Sequence, residues 1–130
     1  MFERKITSDI AEHLSSREAI VLVGARQVGK TTLLKYLIDY HINENYFYMD
    51  LEFKKYLDLC DRGPEDTYSF LLQQGLDETK TIYLIIDEIQ YLKDPANFMK
   101  LIIDHYKNVK LIVSGSSTFD IRKKFKNSLV

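Results

Sequence analysis

The chain has 130 residues, of which 45% are hydrophobic and 28% charged, and its formal net charge at pH 7 is −1. This length suits one domain with a single core. The near-neutral balance excludes a global basic field for nucleic acid and an acidic excess typical of disorder. Cys60 is the only cysteine, which excludes an internal disulfide and a metal site built from cysteines. A reducing compartment is therefore expected.

No segment of the sequence has the pattern of a targeting or membrane-spanning element. The N-terminus is charged at Glu3, Arg4 and Lys5, and it lacks the apolar region of a signal peptide. No apolar run approaches the roughly 20 residues that cross a bilayer. We therefore expect a cytoplasmic protein without a membrane partner.

In chain order, the hydrophobic pattern predicts alternating helices and strands. The first half is expected to contain a helix over 8–14, a strand over 19–23, a helix from 30 to about 40, a turn at 43–45 and a strand over 46–51. Residues 54–60 have an ambiguous pattern, which ends at Gly63-Pro64. This half thus supplies two of the predicted strands.

The second half continues the alternation. It is expected to contain a helix from 64 to about 74, a strand over 81–86, a helix from Asp94-Pro95, a strand over 109–113 and a helix over about 118–126. The helix after Pro95 should have one shared face, made of Phe98, Leu101, Ile102 and His105. The sequence therefore predicts one α/β domain over residues 1–130, with a parallel sheet covered on both faces.

A glycine-rich segment follows the first predicted strand. It reads Gly24-Ala25-Arg26-Gln27-Val28-Gly29-Lys30-Thr31 and fits the phosphate-binding pattern G-x-x-x-x-G-K-[ST]. The two glycines permit backbone conformations in which successive N–H groups point at phosphate oxygens. Lys30 can reach the β and γ phosphates, the Thr31 hydroxyl can bind Mg²⁺, and the following helix adds its positive end. The alternative is a glycine turn with a chance lysine.

The remaining residues of this segment have less specific roles. Residues 24–32, which end at Thr32, are the predicted nucleotide-binding segment. Phosphate binding requires only the backbone at Arg26 and Gln27, so their side chains are expected to face solvent. Contact with phosphate or with a neighbouring molecule is the alternative for both.

Two carboxylates, Asp87 and Glu88, come directly after the apolar strand over 81–86. Ligands of open parallel sheets bind beyond the carboxyl ends of the strands, so both residues should lie on the same rim as the glycine-rich segment. Mg²⁺ is usually held by one or two carboxylates and by substrate phosphates, which gives Asp87 a metal-binding role. Glu88 can orient and polarise the water that attacks the γ-phosphate. The alternative is a helix or turn that begins with acidic residues.

Ser114-Gly115-Ser116 follows the fourth strand. A hydroxyl of Ser114 or Ser116 at this point could lie between the γ-phosphate and Glu88 and sense the bound nucleotide. The alternative is an ordinary loop, because Ser and Gly are common loop residues. Which serine acts is left open by the sequence.

The motifs also indicate the reaction. The sequence contains neither the Asp-x-x-Gly nor the Asn-Lys-x-Asp motif of GTPases. Small-molecule kinases share the phosphate loop, but Glu88 beside Asp87 favours water as the acceptor. ATP hydrolysis with Mg²⁺ is therefore the predicted activity. A nucleotide-gated module that binds DNA or protein with little turnover is the alternative, and a P-loop kinase is the third.

Three segments together resemble the AAA-type P-loop ATPases of bacteria and archaea known as AAA-14. They are VGARQVGKTT over 23–32, LIIDEIQ over 84–90 and VSGSS over 113–117. The resemblance implies a three-layer α/β/α sandwich with a mainly parallel sheet of order 5-1-4-3-2. It gives Lys30, Thr31, Asp87 and Glu88 the roles above, and Ser114 or Ser116 the polar role of strand four. It also implies a C-terminal domain similar to restriction-type nucleases.

The resemblance carries expectations for both ends of the chain. We expect an N-terminal ATPase fragment that stops before the fifth strand and the completing arginine, so that strand one is an unpaired edge and hydrolysis is weak. Residues 2–10 are a candidate cover for the adenine base. The basic cluster Arg122, Lys123, Lys124 and Lys126 indicates either nucleic-acid contact or stabilisation of a helix C-terminus.

Overall fold

In the computed structural model, the described residues are Leu14, 18–24 and 28–116, with 23, 24, 28 and 30 described by their backbone alone. The predicted helices over 8–14 and 118–126 lie outside these ranges, apart from Leu14. The adenine-covering segment 2–10, the basic cluster 122–126 and residues 25–27 of the glycine-rich segment also lie outside them.

Four strands and four α-helices make up the described chain. The strands are β1 (Ile20–Gly24), β2 (Tyr46–Asp50), β3 (Ile82–Asp87) and β4 (Val109–Ser116). The helices are α1 (Val28–Leu37), α2 (Lys54–Asp61), α3 (Pro64–Gln73) and α4 (Pro95–His105). A π-helical turn over Ile38–Ile42 continues α1, and a 3₁₀ turn over Ile89–Tyr91 follows β3.

The strands form one parallel sheet in the order β1-β4-β3-β2. The central register pairs Ile85 of β3 with Ile112 of β4 and with Tyr48 of β2, and Val21 of β1 with Val113 of β4. Parallel strands require crossover connections, which the helices supply, and strands covered on both faces read as continuous apolar runs. The predicted α/β fold and the order 1-4-3-2 are therefore confirmed.

Alternate residues of each strand point into two separate cores. In β4, Leu111 and Val113 belong to the core that includes residues of α2, α3 and α4, whereas Ile112 belongs to the core beneath α1. In β3, Ile86 and Ile85 divide in the same way. This parity decides which side chains at the strand ends face α1.

Local sequence explains where the helices begin and end. Pro64 and Pro95 occupy first-turn positions of α3 and α4, where the missing N–H costs nothing. The Asp94 carboxylate accepts a hydrogen bond from the Asn97 N–H at 3.1 Å and caps α4. Asn43 ends the π-helical turn in a left-handed conformation with φ 44°. The ambiguous segment 54–60 is helical, as part of α2.

Two details differ from the sequence-based expectations. The buried residues of α4 are Pro95, Phe98, Met99 and Ile102, whereas His105 is exposed, because the helix turns its last residue away from the sheet. In addition, β4 continues through Ser116. The serines therefore belong to a paired strand and not to a loop.

The described helices are also short. None of them has the length and apolar character needed to cross a bilayer.

Candidate active site

The site lies where β1, β3 and β4 end. Gly24 ends β1, and it is paired with Ser116 at the end of β4. Asp87 ends β3, which runs beside β4. The carboxyl ends of these parallel strands meet at one rim of the sheet, and α1 begins at the same rim.

The glycine-rich segment is described in two parts. Gly24 belongs to β1 and residues 28–32 belong to α1, whereas Ala25, Arg26 and Gln27 lie outside the described residues. The first turn of α1 contains no acidic residue, so the positive end of its dipole is not neutralised within the helix. Thr31 is half-buried, and Thr32 is exposed.

Gly29 differs from the expectation that its backbone needs a conformation barred to other residues. It is helical, as part of α1, and a Cβ placed on it would meet no atom within 4 Å among the described residues outside its own helix. Neither backbone conformation nor packing within the described chain therefore requires glycine at this position.

Among the described side chains of the site, Asp87 accepts the most hydrogen bonds. It is 2% exposed, and its Oδ2 accepts hydrogen bonds from Thr31 Oγ1 at 2.8 Å and from the Tyr48 hydroxyl at 2.7 Å. Its Oδ1 accepts a hydrogen bond from Ser114 Oγ. Three neutral donors compensate the burial of the carboxylate and fix its orientation without cancelling its charge.

Tyr48 was not identified from the sequence. It is half-buried, and burial, followed by its hydrogen bond to Asp87 and the nearby negative charges, raises the pKa of its phenol far above the ordinary value. The phenol therefore stays protonated and remains a donor. The available signal was strand parity, because Tyr48 lies on the face of β2 toward α1, beside Ile85 of β3 and two residues before the level of Asp87.

Glu88 has an unusual backbone. Its φ of 61° and ψ of 51° are left-handed, which costs a residue with a Cβ roughly 1–2 kcal/mol. Its N–H donates to Ser114 Oγ at 3.2 Å, so Ser114 contacts both acidic residues. The side chain is buried at the rim, and its Oε1 accepts a hydrogen bond from Gln90 Nε2 at 2.6 Å.

Gln90 is a second residue that sequence reasoning assigned no role. Its Oε1 accepts a hydrogen bond from the Ser116 N–H at 3.2 Å, while its Nε2 contacts Glu88. Ser116 thus reaches the acidic pair indirectly, whereas Ser114 reaches it by direct contact. The position of Gln90 two residues after Glu88 was the only sequence signal.

The structure therefore brings together Thr31, Asp87, Glu88 and Ser114, with Ser116 joined through Gln90. A threonine hydroxyl beside a carboxylate is a set of hard oxygen ligands, which suits Mg²⁺ when phosphate oxygens and waters supply the rest. Among the described residues, no cluster of three or more His, Cys, Asp or Glu could hold a metal ion by itself.

Comparisons with known proteins identify the family of the chain. The sequence profile of AAA-14, described as an AAA domain, matches residues 16–130. Two uncharacterized proteins of Methanocaldococcus jannaschii are relatives. MJ1544 is 27% identical over 124 residues, which cover 95% of this chain and 27% of the relative. MJ1637 is 33% identical over 111 residues, which cover 82% of this chain and 23% of the relative.

The chain therefore spans about a quarter of the length of these relatives. The solved structure of PCH-2 from C. elegans matches with a TM-score of 0.62 at 17% identity, over 97% of this chain and 42% of that one. This likeness shows a shared fold. Because the family profile covers most of the sequence, the chain belongs to the AAA-14 family of AAA domains and is a P-loop ATPase-like domain.

Proposed function

We propose that this domain binds ATP and hydrolyses it with Mg²⁺. The observation that supports the proposal best is the 2.8 Å hydrogen bond between Thr31 Oγ1 and Asp87 Oδ2. It joins the first turn of the phosphate-loop helix to the carboxylate at the end of β3, although the two residues are 56 positions apart. A triphosphate at the start of α1 would lie against both groups.

Residues 24–32 would hold the phosphates. Main-chain N–H groups at the start of α1 donate to phosphate oxygens, with Lys30 as the charged partner of the β and γ phosphates. The absence of a Cβ at Gly29, which packing does not explain, leaves room for a phosphate against the helix. Thr31 and Asp87 would hold Mg²⁺, which supplies positive charge to the β and γ phosphates when it is bound.

Glu88 would act on the attacking water. Its carboxylate accepts a proton from the water and orients the oxygen toward the γ-phosphorus, so that the bond to the β-γ bridging oxygen breaks and ADP and phosphate form. Ser114, which contacts both Asp87 and Glu88, is positioned to respond to the γ-phosphate. Ser116 is the second candidate for this sensing role, through Gln90.

Two variants test the proposal. Lys30→Ala should abolish ATP binding, measured by calorimetry, because the negative β and γ phosphates lose the lysine ammonium group that binds them. Glu88→Gln should bind ATP with an affinity close to that of the wild type and release phosphate at least ~100-fold more slowly. Turnover of Glu88→Gln at the wild-type rate would show that Glu88 is not the base.

One observation favours a second candidate function, a nucleotide-gated binding module with little turnover. The Glu88 Oε1 atom is already engaged by Gln90 at 2.6 Å, which would limit turnover if the contact held the carboxylate away from water. Many turnovers per molecule of purified protein would exclude this candidate. Tight nucleotide binding with no more than one turnover would support it.

The larger role of the domain follows from the same proposal. Residues 1–130 would form one ATPase domain that transmits a conformational change to an attached domain or to a DNA or protein partner. A C-terminal nuclease-like domain and a cytoplasmic location remain predictions of the sequence and its family resemblance. Nuclease assays on the longer relatives, with and without ATP, would test the first of these.

A further inference from the structure

We propose that Gln90 is a positioning residue. It orients the Glu88 carboxylate toward the water that attacks the γ-phosphate, and it couples this carboxylate to the end of β4. The inference rests on the proposed ATPase function. It assigns a role to a residue that contacts neither phosphate nor Mg²⁺ in that function.

Both ends of the Gln90 amide form hydrogen bonds. Nε2 donates to Glu88 Oε1 at 2.6 Å, and Oε1 accepts from the Ser116 N–H at 3.2 Å. A carboxylate only accepts and a main-chain N–H only donates, so a single orientation of the amide satisfies both neighbours. The side chain is therefore fixed by chemistry at each end.

β4 holds Glu88 at two points, its main-chain N–H and its carboxylate. Ser114 Oγ accepts from the Glu88 N–H at 3.2 Å, and Ser116 holds the Glu88 carboxylate through Gln90. Ser114 and Ser116 are two residues apart on one strand, so they face the same side of the sheet. A displacement at the end of β4 would therefore move both the backbone and the carboxylate of Glu88.

Gln90 contacts only one of the two carboxylate oxygens of Glu88. Within the part of the chain that the structure describes, Glu88 Oε2 accepts no hydrogen bond. One oxygen is thus anchored and the other can accept a proton from water. The backbone of Glu88 is left-handed, with φ 61°, and the hydrogen bond from the Gln90 amide restricts the rotation of its carboxylate.

Two substitutions separate the two hydrogen bonds. Gln90→Met keeps an unbranched side chain of similar length and removes both bonds. Gln90→Glu keeps an acceptor for the Ser116 N–H but places a negative charge against Glu88. The matched controls are Gln73→Met and Gln73→Glu, because Gln73 is exposed on α3.

The expected result is a change in kcat with little change in KM. Gln90→Met should lower kcat for ATP by about 10- to 100-fold, since a misplaced catalytic group costs up to about that factor, with KM within about twofold. Gln90→Glu should lower kcat at least as much. Hydrogen exchange measured by NMR without nucleotide should show faster exchange of the Ser116 amide in Gln90→Met, and wild-type protection in Gln90→Glu.

Several outcomes would overturn the inference. It fails if the wild type is active and Gln90→Met retains its kcat, or if the loss lies in KM or in thermal stability alone. An inactive wild type would instead refute the proposed hydrolysis. In that case the exchange experiment still decides whether Gln90 joins Ser116 to Glu88, and an unchanged Ser116 amide in Gln90→Met would refute the coupling.

Discussion

The two ends of the parallel sheet use their polar side chains in different ways. At the amino ends of the strands, Asn45 Nδ2 donates to Asp77 O at 3.0 Å and to Thr81 O at 2.8 Å. Asn108 Nδ2 donates to Glu78 O at 3.2 Å, and the Lys110 amine donates to a main-chain carbonyl before β1. These side chains form hydrogen bonds with main-chain groups and connect loops, so their contribution to folding is sufficient to explain their presence.

At the carboxyl ends, the acceptors are the carboxylates of Asp87 and Glu88. Their described donors are neutral hydroxyl groups and one side-chain amide, which orient the acids and leave their negative charge in place. Burying a charge in this way is costly for stability. The comparison teaches that polar side chains of the amino end connect main-chain segments, whereas those of the carboxyl end orient two acids, which we propose face a ligand.

Among the substitutions that test this comparison, Asp87→Asn is expected to have the largest effect. The amide keeps the size of the side chain, and the three neighbouring hydroxyls can rotate to suit it. We expect Mg²⁺-dependent phosphate release to fall by ~100-fold or more. The reason is that the two side chains proposed to bind Mg²⁺, those of Asp87 and Thr31, would no longer carry a negative charge. Thermal unfolding and phosphate release, measured side by side, check the prediction.

The matched change at the amino end is Asn108→Ala. Loss of its hydrogen bonds should cost about 1 kcal/mol of unfolding free energy and leave phosphate release within about twofold. If Asp87→Asn lowered the melting temperature and spared hydrolysis, or if Asn108→Ala did the reverse, the two ends of the sheet would not have the assigned roles.

Lys110 gives the next largest effect, as a change of stability with pH. Burial, partly opposed by the charge of Glu18, lowers its pKa from 10.5 to about 8. Between these two values the unfolded chain binds more protons than the folded chain, so the free energy of unfolding rises with pH and then levels off. Relative to Lys110→Met, the wild type should gain up to about 2 kcal/mol across this interval, since solvent near the amine screens part of the effect.

Urea unfolding of both proteins at several pH values measures this difference. The variant is the control, because it shares every other titrating group with the wild type. Parallel stability curves for the two proteins would show that the Lys110 amine titrates alike in the folded and unfolded chains, and that its burial has no electrostatic consequence.

Much of this architecture follows from sequence pattern. Strongly apolar runs gave the four strands to within a few residues, and the family resemblance gave their order. The meeting of Thr31 with Asp87 followed because parallel strands end at one rim. These features depend on spacing and hydrophobicity, which a single sequence displays.

Other features depend on register and local conformation, which spacing does not display. The contact of Tyr48 with Asp87 requires the alignment of β2 with β3, in which Asp50 lies beside Asp87. The role of Gln90 requires the left-handed backbone of Glu88, which no neighbouring glycine signals. A one-residue shift of β2 would have turned Tyr48 to the opposite face of the sheet, and the same shift of β3 would have turned Asp87.

Tyr48→Phe is expected to have the smallest effect and sharpens the comparison most. Thr31 and Ser114 still hold Asp87, so the loss of one hydroxyl should raise the Mg²⁺ concentration for half-maximal hydrolysis by only about fivefold, equivalent to about 1 kcal/mol.

Tyr46→Phe is the control, since Tyr46 lies on the same face of β2 but two residues farther from the rim. Because burial raises the pKa of Tyr48, the ratio between wild type and Tyr48→Phe should stay constant from neutral to mildly alkaline pH. Equal effects of the two variants would show that the aromatic packing of β2, and not the hydroxyl on Asp87, supports the site.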